Sequence, residues 1–368
     1  MNASLNEKLG NVKWGEYKLG TLFGIENTLS FNVDKLVDGI EYDYVTRTSI
    51  NQGILQTTGF VNDSNINASG TWSLGLLSMD FFYRRKPWYA GQFVRKIIPN
   101  ISIPENAVPF FSTILNKQKP ILLSVLVRSV ETFKNISIKL PETADGKIDF
   151  DFMESFIAEL EAERVAELSA YLTVSGLDNY ELSSDEENAL KNYQSLKWDT
   201  YNLEKLFGKS TRGKRLKGDD RISGTLPFVT AGEASEGISA YISNDVEVFE
   251  KNTTTIDMFG SAKYRNYKYG ADDHVAVVHT ETVPMKASIF LTAAIHKAAH
   301  TGKFDYGHNF YAKDADALDI QLPVKDGKPD YDTMATLISA VQKLVIKDVV
   351  VYTDRKIEKT KEIVKSEG

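Results

Sequence analysis

A long internal repeat limits the fold of this chain more than any other feature of its sequence. Trp14–Gly24 reads WGEYKLGTLFG and Trp198–Gly208 reads WDTYNLEKLFG, with every matched position 184 residues apart. Without a change of register, Tyr44–Thr46 aligns with Phe228–Thr230. Chance similarity does not keep its register over so many residues, so the chain consists of two copies of one unit.

The match resumes, after small gaps, at the end of each copy. Asp145–Glu161 reads DGKIDFDFMESFIAELE, and Asp326–Gln342 reads DGKPDYDTMATLISAVQ. In each copy an Asp-Gly-Lys turn precedes aspartates that can cap a helix. The capping candidates are Asp149 or Asp151 in the first copy and Asp330 or Asp332 in the second. A unit of about 180 residues is too large for a solenoid repeat and indicates a duplicated module.

The front of each copy combines short β-type runs, broken by Gly, Asn and Asp, with one helical segment. The predicted strands are Tyr42–Thr48, Val94–Ile98, Ile121–Val127, Leu226–Thr230 and Val275–His279, and the predicted helices are Phe110–Lys117 and Ser288–Ala299. Each front is therefore predicted to form a compact α+β domain.

The back of each copy carries apolar residues at three- and four-residue steps, which is typical of a helix with a narrow seam. They are Met153, Phe156, Ile157, Leu160, Leu168, Tyr171 and Leu172 in the first copy, and Met334, Leu337, Ile338, Val341, Leu344, Val345, Val349 and Tyr352 in the second. The β-branched run Val345–Thr353 would favour a strand by propensity alone, but the period and the repeat favour a helix. The first helix is acidic and the second ends in a basic tract, which favours antiparallel pairing.

The predicted fold class is therefore α+β, with two pseudo-repeated domains separated by two long antiparallel coiled-coil-like helices. The predicted boundaries are 1–148 for the first domain, 149–196 for the first helical region, 197–329 for the second domain and 330–368 for the second helix. A helix of roughly 22 to 30 residues is about 33 to 45 Å long. Domains held that far apart could meet B-DNA about one helical turn apart.

Composition excludes several classes of protein. The chain has no cysteine, so it has neither disulfides nor thiolate metal sites. Its N-terminal residues lack the apolar segment of a secretion signal, and no apolar run approaches the length of a membrane span. We expect a cytoplasmic protein without a membrane role. With 42% hydrophobic residues in 368, the chain can bury more than one core.

The net charge of −7 hides a strong asymmetry. Residues 149–189 contain twelve acids and one base, a local charge of −11, so the remainder carries −7 + 11 = +4. Basic clusters occur at Arg84–Lys96, with five bases and no acid, and at Lys209–Arg221, with six bases and two acids. Such clusters indicate local contact with a polyanion.

Taken together, these features resemble the specificity subunits of type I restriction-modification systems, over essentially the whole chain. The resemblance rests on the two repeat starts, on the loops that end at Gly53-Ile54 and Gly237-Ile238, and on the repeated Leu-Pro, Asp-Gly-Lys and aspartate-rich helix starts. Architecture and repeated order carry it, since this family has no diagnostic short motif. Related specificity chains serve bipartite type IIB systems, and the sequence does not separate the two.

The resemblance implies that each domain reads one half of a split sequence in double-stranded DNA. The helices would set the spacing and dock methyltransferase subunits, two in number, with restriction subunits as further candidate partners. Chains of this family have no catalytic residues of their own. We therefore expect a non-catalytic recognition subunit with no cofactor and no metal. The target bases and the spacer length depend on docking in three dimensions.

Two segments of the first domain are candidate DNA contacts. In Arg84–Lys96 the bases are interleaved with Trp88 and Tyr89, and arginine can neutralise phosphate or read guanine. The loop Arg47–Gln52 follows a predicted strand and carries donors and acceptors suited to base edges. Its counterpart Ala231–Glu236 shares the position but not the chemistry, as two different half-sites or two ordinary variable loops would.

The second domain has comparable basic stretches at Lys209–Arg221 and Lys263–Lys268. The alternative explanation for each cluster is a solvated surface loop. The full set of candidate DNA-binding residues is Arg47, Thr48, Ser49, Asn51, Gln52, Arg84, Arg85, Lys86, Trp88, Arg95, Lys96, Lys209, Arg212, Lys214, Arg215, Lys263, Tyr264, Arg265 and Lys268.

Catalytic motifs are weak. Gly208–Ser210 matches the end of a phosphate-binding loop, but Leu203 occupies a position that requires glycine. His296 and His300 have a spacing that could share a metal, yet the Glu of the metalloprotease pattern is missing and a plain helix surface explains them better. The sequence contains neither a Gly-rich loop for S-adenosylmethionine nor an Asn-Pro-Pro-aromatic or Asp-Pro-Pro-aromatic tetrapeptide.

Two other function classes stay open at this level. A metal-dependent nuclease could use acids near the helix starts, and cleavage by the isolated chain that is sensitive to Asp145→Ala would indicate it. The repeated Asp-x-Lys at 145–147 and 326–328 is better explained as a turn before a cap. A protein-interaction scaffold is the other class, and binding that ignores salt would indicate it, since phosphate contacts weaken as salt rises.

Overall fold

A computed structural model of the chain describes residues 3–125 and 129–366. Within them the chain forms two compact units. The first unit comprises the residues up to Leu168 together with those from Lys356 onward, and the second unit comprises Ser169–Arg355. Each unit mixes helices and strands, as the α+β prediction requires. The two units divide both long helices between them, whereas the four predicted segments keep those helices whole, and that segmentation stays a prediction.

The first unit has three groups of strands and a set of helices packed against them. Its strands are β1 (Trp14–Lys18), β2 (Phe23–Asn27), β3 (Tyr42–Val45), β4 (Ile54–Thr58), β5 (Thr71–Gly75), β6 (Asp80–Arg84), β7 (Trp88–Ala90), β8 (Val94–Pro99) and β9 (Ser137–Pro141). Its helices are α1 (Ala3–Asn11), α2 (Leu19–Leu22), α3 (Val108–Lys117), α4 (Lys119–Ser124), α5 (Ser129–Asn135) and most of α6 (Phe150–Val174).

The strands of the first unit pair as β2-β8-β5-β6, β4-β3-β7 and β1-β9. The main core lies between the four-stranded sheet and helices α2, α3 and α5, and its largest fully buried side chains are Phe23, Trp72, Phe81, Phe111 and Phe133. Each such side chain stabilises the fold by about 1.5–3 kcal/mol relative to exposure. The end of β3, where a polar loop begins, is held by a separate small cluster of Val45, Trp88, Ala90 and Val94.

The second unit repeats this plan. Its strands are β10 (Trp198–Asn202), β11 (Thr211–Arg212), β12 (Ser223–Val229), β13 (Ile238–Ile242), β14 (Val248–Phe249), β15 (Thr253–Asp257), β16 (Ala262–Arg265), β17 (Tyr269–Ala271), β18 (Val275–Val278), β19 (Asp319–Lys325) and β20 (Lys328–Pro329). Its helices are α7 (Ser184–Lys191), α8 (Leu203–Phe207), α9 (Met285–Ala299), α10 (Ala312–Asp316) and most of α11 (Tyr331–Ser366). The sheets are β11-β18-β15-β16, β13-β12-β17-β14 and β10-β19-β20.

Strand register confirms the internal repeat. Trp14 lies opposite Pro141 in the first unit, and Trp198 lies opposite Pro323 in the second. The strand pairs β3–β7 and β12–β17 are both parallel, and β3 and β12 each carry a register shift just before their last residue. The aligned sequence positions therefore occupy equivalent places in two similar α+β domains.

Each Asp-Gly-Lys turn leads into a long helix, as predicted. Asp149 accepts the Phe152 backbone N–H at 2.9 Å, and Asp330 accepts that of Thr333 at 3.0 Å, so these two aspartates are the caps. Helix α6 has 25 residues and α11 has 36, lengths of about 38 and 54 Å. The prediction of helix rather than strand for Val345–Thr353 is confirmed.

One predicted strand is wrong. Ile121–Ser124 belong to helix α4, with Pro120 in its first turn, while Leu126 and Val127 lie outside the described residues. Proline suits the first turn of a helix, and a short apolar run does not by itself distinguish a strand from a buried helix. The predicted helices Phe110–Lys117 and Ser288–Ala299 are confirmed within α3 and α9.

No helix in the described part of the chain is long and apolar enough to cross a membrane.

Candidate nucleic-acid interface

The polar loop after β3, which we call loop 1 (residues 46–53), is a closed and unusual turn. The Thr46 backbone N–H donates to the Gly53 carbonyl at 2.8 Å, which draws the two ends of the loop together. Asn51 and Gln52 adopt φ values of 48° and 53°, in the left-handed region that non-glycine residues seldom occupy. Such backbone strain persists only where the surrounding structure enforces it, and it clusters at functional sites.

Loop 1 presents polar side chains to solvent. Arg47, Ser49, Asn51 and Gln52 are exposed and Thr48 is half-buried, so all five predicted contacts in this loop are accessible. The Arg47 guanidinium lies over the Phe93 ring at 5.1 Å. A stacked and exposed guanidinium of this kind suits recognition of phosphate or guanine.

A solvent-open groove of about 1010 Å³ runs beside loop 1. Its lining combines hydrogen-bonding and apolar side chains: Asn32, Val33, Asp34, Tyr44, Thr46, Arg47, Thr48, Ile50, Asn51, Ile54, Leu55, Leu77, Gly91 and Gln92. The amide of Gln92, which sequence reasoning missed, suits an adenine edge. The available signal was its place within the basic and aromatic stretch Arg84–Lys96, two residues after β7.

The second unit has the same turn, which we call loop 2 (residues 230–237). Thr230 N–H donates to the Gly237 carbonyl at 2.8 Å, and Ser235 and Glu236 have φ values of 49° and 55°. The side chains differ from those of loop 1. Glu233 pairs with Lys263 at 3.2 Å, and hydrogen bonds from Ser261 and Lys263 lower the pKa of Glu233, keeping it ionised. Loop 2 is thus an acid-bearing copy of loop 1.

The residues 209–215, which we call the basic loop, lie close to loop 2. Lys214 N–H donates to the Ala271 carbonyl at 3.1 Å, while Ala271 is the register partner of Val229, the residue that precedes loop 2. A side chain on Gly213 would meet the Ala271 carbonyl oxygen at 1.7 Å, so this close approach requires glycine. The structure therefore brings the basic loop and loop 2 to one edge of the second unit.

The four predicted DNA contacts of the basic loop are all exposed, namely Lys209, Arg212, Lys214 and Arg215. None forms an ion pair with a carboxylate in the described residues. Four exposed cations on one short loop, without carboxylate partners in this part of the chain, are a candidate site for the phosphates of a nucleic-acid backbone.

Asp272, Asp273 and His274 follow β17 at the place that Gly91–Phe93 occupy in the first unit. Burial, with the neighbouring charge of Asp273, raises the pKa of Asp272. The donor atoms of the three residues lie within 4.8 Å of one another, and among the described residues this is the group that a metal ion could use. Sequence reasoning missed it, although the repeat alignment places it beside loop 2.

Three predicted DNA contacts are corrected by the structure. Arg84, Trp88 and Arg265 are each at most 1% exposed. The Trp88 indole N–H donates to Thr71 at 3.1 Å, so it is a core residue. In short strands the sequence does not reveal which face is buried, and these three side chains point inward where solvent exposure was predicted.

The remaining predicted contacts, in strands and in the turns beside them, are accessible but already have partners. Arg85 pairs with Glu105, Lys96 with Glu26 and Lys268 with Glu250, while Arg95 donates to Asn27, Lys86 to the Ile40 carbonyl and Tyr264 to Asn252. A phosphate would have to compete with these existing partners. The unpaired basic loop is therefore a stronger candidate than Arg84–Lys96 or Lys263–Lys268.

The alternative catalytic groups have structural explanations. Asp145 forms an exposed ion pair with Lys147 at 2.7 Å inside its turn. His296 accepts the Ala262 backbone N–H through Nδ1 at 3.1 Å and stacks on His300 at 4.8 Å. One nitrogen of His296 is therefore already used in packing helix α9 against β16.

Comparison with known proteins agrees with this architecture. The model of the type I restriction modification DNA specificity domain matches the chain twice, at residues 11–170 and 195–350. The chain is 24% identical over 272 residues to the specificity subunit S.BcgI of the type II restriction enzyme BgcI from Heyndrickxia coagulans, covering 72% of this chain and 75% of the relative.

Among solved structures, the type I restriction-modification S subunit from M. genitalium has a similar fold. The alignment has a TM-score of 0.57 and 13% sequence identity, and it covers 97% of this chain and 95% of that one. At this identity the likeness concerns the fold.

Proposed function

Because the chain belongs to the type I restriction-modification DNA specificity family, as a DNA-recognition component without catalytic activity, we propose that it reads a split target in double-stranded DNA. Each unit recognises one half-site, with loop 1 and its groove in the first unit and loop 2 with the basic loop in the second. The chain acts in the cytoplasm and docks two methyltransferase subunits.

The observation that carries this proposal is the pair of loops. Loop 1 and loop 2 share the closing hydrogen bond and two consecutive left-handed residues, yet one carries Arg47 and Asn51 where the other carries Ala231 and Ser235. A scaffold for two identical ligands would have no use for this difference in chemistry. Two frames with different side chains suit two different base sequences.

Phosphate contact anchors the second unit. The basic loop supplies up to four cations next to loop 2, so that backbone contacts position the unit while loop side chains read bases. In the first unit the exposed Arg47 combines both tasks. The net charge of −7 disfavours DNA binding by the whole surface and confines it to these edges.

The long helices set the spacing and present apolar surface for the methyltransferase subunits. Helix α11 exposes Val341, Leu344, Val345 and Tyr352, with fractional exposures between 45% and 74%. Within the first unit, Lys356 of α11 pairs with Glu161 of α6 at 2.9 Å, which supports antiparallel, coiled-coil-like pairing of the two helices. Exposed apolar stripes of this kind are typical of protein interfaces. Restriction subunits are further candidate partners.

A methylation map tests the proposal. The chain would be expressed with its candidate methyltransferase in a host without adenine methylation, and every modified base would be located by sequencing. Two short defined blocks separated by a fixed unspecified spacer are the expected result. A continuous modified sequence would contradict the two-unit reader.

A matched exchange assigns the halves. Replacing residues 14–140 by the corresponding segment of a homologue should change one block, and replacing 198–322 should change the other. A single exchange that alters both blocks would mean that the units do not read independently.

A further inference from the structure

A buried arginine lies directly beneath loop 1. Arg84, at the end of β6, is 1% exposed and donates from Nη2 to the Gln52 carbonyl at 2.5 Å. It also donates to the Ser73 hydroxyl from Nε at 2.9 Å and from Nη2 at 2.6 Å. Gln52 is the second of the two left-handed residues, so the guanidinium ties the strained part of loop 1 to strand β5.

The second unit also has a buried arginine beneath its loop, but this arginine approaches loop 2 through packing. Arg265, at the end of β16, is 1% exposed and donates to Thr255 from Nε at 2.9 Å and to the Tyr267 hydroxyl from Nη1 at 2.9 Å. A Cβ on Gly237 would lie 3.8 Å from Arg265 Nη2, just as one on Gly53 would lie 3.3 Å from Arg84 Nη2. Both guanidinium groups therefore lie against the glycine that closes their loop.

Neither arginine has the partner that normally accompanies a buried cation. Within the described part of the chain no carboxylate forms an ion pair with Arg84 or Arg265. Burial lowers the pKa of Arg84 to about 10 even though the charge of Asp43 acts in the opposite direction. Burying such a charge costs free energy, which makes its presence at two equivalent positions informative.

A strained loop needs an external constraint to keep one conformation. In loop 1 the Asn51 amide donates to the Ile54 carbonyl at 3.1 Å and Ser49 donates to Asp80, both at the exposed surface. Arg84 adds a buried bond to the backbone of the left-handed residue Gln52. The fork of a guanidinium can hold a side-chain hydroxyl and a backbone carbonyl in a fixed relation, which a lysine ammonium cannot do.

We propose that Arg84 and Arg265 are positioning residues for base recognition that do not touch DNA: Arg84 holds loop 1 by a hydrogen bond to its backbone, and Arg265 supports loop 2 by packing against Gly237. This inference rests on the proposed function of the loops as base readers. Each arginine then controls the discrimination of one half-site, through the direction in which the loop side chains point.

The test uses the full chain with its methyltransferase partner and three substitutions of the same kind, Arg84→Lys, Arg265→Lys and Arg164→Lys. Arg164 lies exposed on helix α6 in an ion pair with Glu167 and serves as the control. Ser73→Ala and Thr255→Val are milder variants that remove a partner of each arginine while keeping its charge. Methylation maps, thermal unfolding and amide hydrogen exchange are measured for each.

Arg84→Lys and Ser73→Ala should relax the first block only, with a loss of discrimination of about tenfold at one or more of its positions. Arg265→Lys and Thr255→Val should relax the second block only. The Thr46 and Thr230 amides, which close the two loops, should exchange faster in the matching variants. Arg164→Lys should change neither block.

Two results would overturn the proposal. In the first, methylation decreases equally at all sites as the unfolding temperature decreases, and both blocks of the motif stay intact. That result would mean that the arginine has only a structural role. The other is unchanged loop exchange together with unchanged blocks. If the unsubstituted chain itself yields a continuous motif, the proposed function fails, while the amide exchange data still decide whether the arginines hold the loops.

Discussion

Loop 1 and loop 2 share a backbone conformation, which we call the frame, but carry different side chains. Both loops close with an N–H to carbonyl bond of 2.8 Å, place two left-handed residues before a glycine, and lie on a buried arginine. Loop 1 carries an amide-rich surface with one arginine, while loop 2 carries acids and receives its cations from the basic loop. The two copies therefore have the same loop backbone, while the side chains that face solvent differ.

The largest expected effect comes from exchanging the side chains of loop 1 and loop 2. Replacing residues 47–52 by AGEASE should lower the preference for the first block by at least about 100-fold and leave the second block unchanged, because several base contacts are lost together. Methylation mapping measures both blocks. The reciprocal exchange, RTSINQ at 231–236, is the matched control and should alter the second block only. If either chimera loses preference equally in both blocks, the two loops do not act independently.

Removing the basic loop's charge should weaken DNA binding without changing the sequence preference. Changing Lys209, Arg212, Lys214 and Arg215 to glutamine should lower affinity by about 100-fold at low salt and reduce the salt slope by about 3 to 4, since each phosphate contact contributes about 0.9. Titrations of the methyltransferase complex at several salt concentrations measure this.

The control for that variant makes the same charge change at paired lysines. Lys8, Lys13, Lys147 and Lys191 each pair with a glutamate or aspartate. Their glutamine variant has an equal net charge, and its salt slope should match that of the unsubstituted chain. An equal loss in both variants would mean that overall charge, rather than the basic loop, governs affinity.

The two frames should differ in their tolerance of a side chain at the closing glycine. Gly237 has a φ of 79° and a Cβ there would meet the Thr230 carbonyl oxygen at 2.7 Å, whereas at Gly53, with a φ of 78°, the nearest contact is 3.1 Å. Gly237→Ala should cost about 2–3 kcal/mol and Gly53→Ala about 1–2 kcal/mol, measured by thermal unfolding.

Gly70→Ala provides the matched control for these substitutions. Gly70 has a φ of 76° but open space around its Cβ position, so only backbone strain of about 1 kcal/mol is expected. If the free energy of unfolding decreases equally in all three variants, backbone strain alone explains the loss and the contacts inside the loops add nothing to it.

A smaller difference concerns acid stability, because the ion pair between α7 and α11 in the second unit is largely buried, whereas the pair of Lys8 with Glu159 between α1 and α6 in the first unit is exposed. Glu186 is 8% exposed and pairs with Lys343 at 2.9 Å. In the first copy the position aligned with Lys343 is Ala162. Burial opposes ionisation, but the bonds from Lys343 and from the Ser183 backbone N–H outweigh it and lower the pKa of Glu186 from 4.5 to about 2.

The folded-state pKa of Glu186 lies below the unfolded value, so its contribution is complete above about pH 4.5 and disappears as pH falls towards 2. Glu186→Gln should therefore lower the free energy of unfolding by about 1–3 kcal/mol at pH 7 and by much less at pH 3. Denaturant unfolding at both pH values measures this. Glu187→Gln, at a neighbouring exposed residue, should have little effect, and a pH-independent loss at Glu186 would contradict the ion-pair explanation.

Much of the architecture was predictable because it depends on local rules. The caps at Asp149 and Asp330 and the helical form of α11 follow from helix chemistry and period. The predicted seam of α11 is buried at Met334 and Leu337, while Val341, Leu344 and Val345 are exposed. The helix at Lys119–Ser124 was missed because a short apolar run fits either structure, and only packing distinguishes them.

The candidate site was predictable only in part. Loop 1 and the basic loop were correctly expected at the surface, since polar segments between strands are usually solvated. Engagement of Lys96 by Glu26 was not predictable, because such partners come from strands far apart in sequence. Asp272–His274 escaped notice for the same reason, since their closeness to loop 2 arises through the pairing of β12 with β17.

Three features follow from the order of residues along the chain: the duplication, the starts of the long helices, and the different chemistry of loop 1 and loop 2. Repeats, caps and composition depend on residues that can be compared without knowing how the chain packs. Tertiary structure alone decided that Arg84 and Arg265 lie inside, beneath the loops, while Lys209 and Arg215 stay free outside. An arginine has the same charge in either place. Its role depends on which strands surround it, and that is settled only when residues distant in sequence pack together.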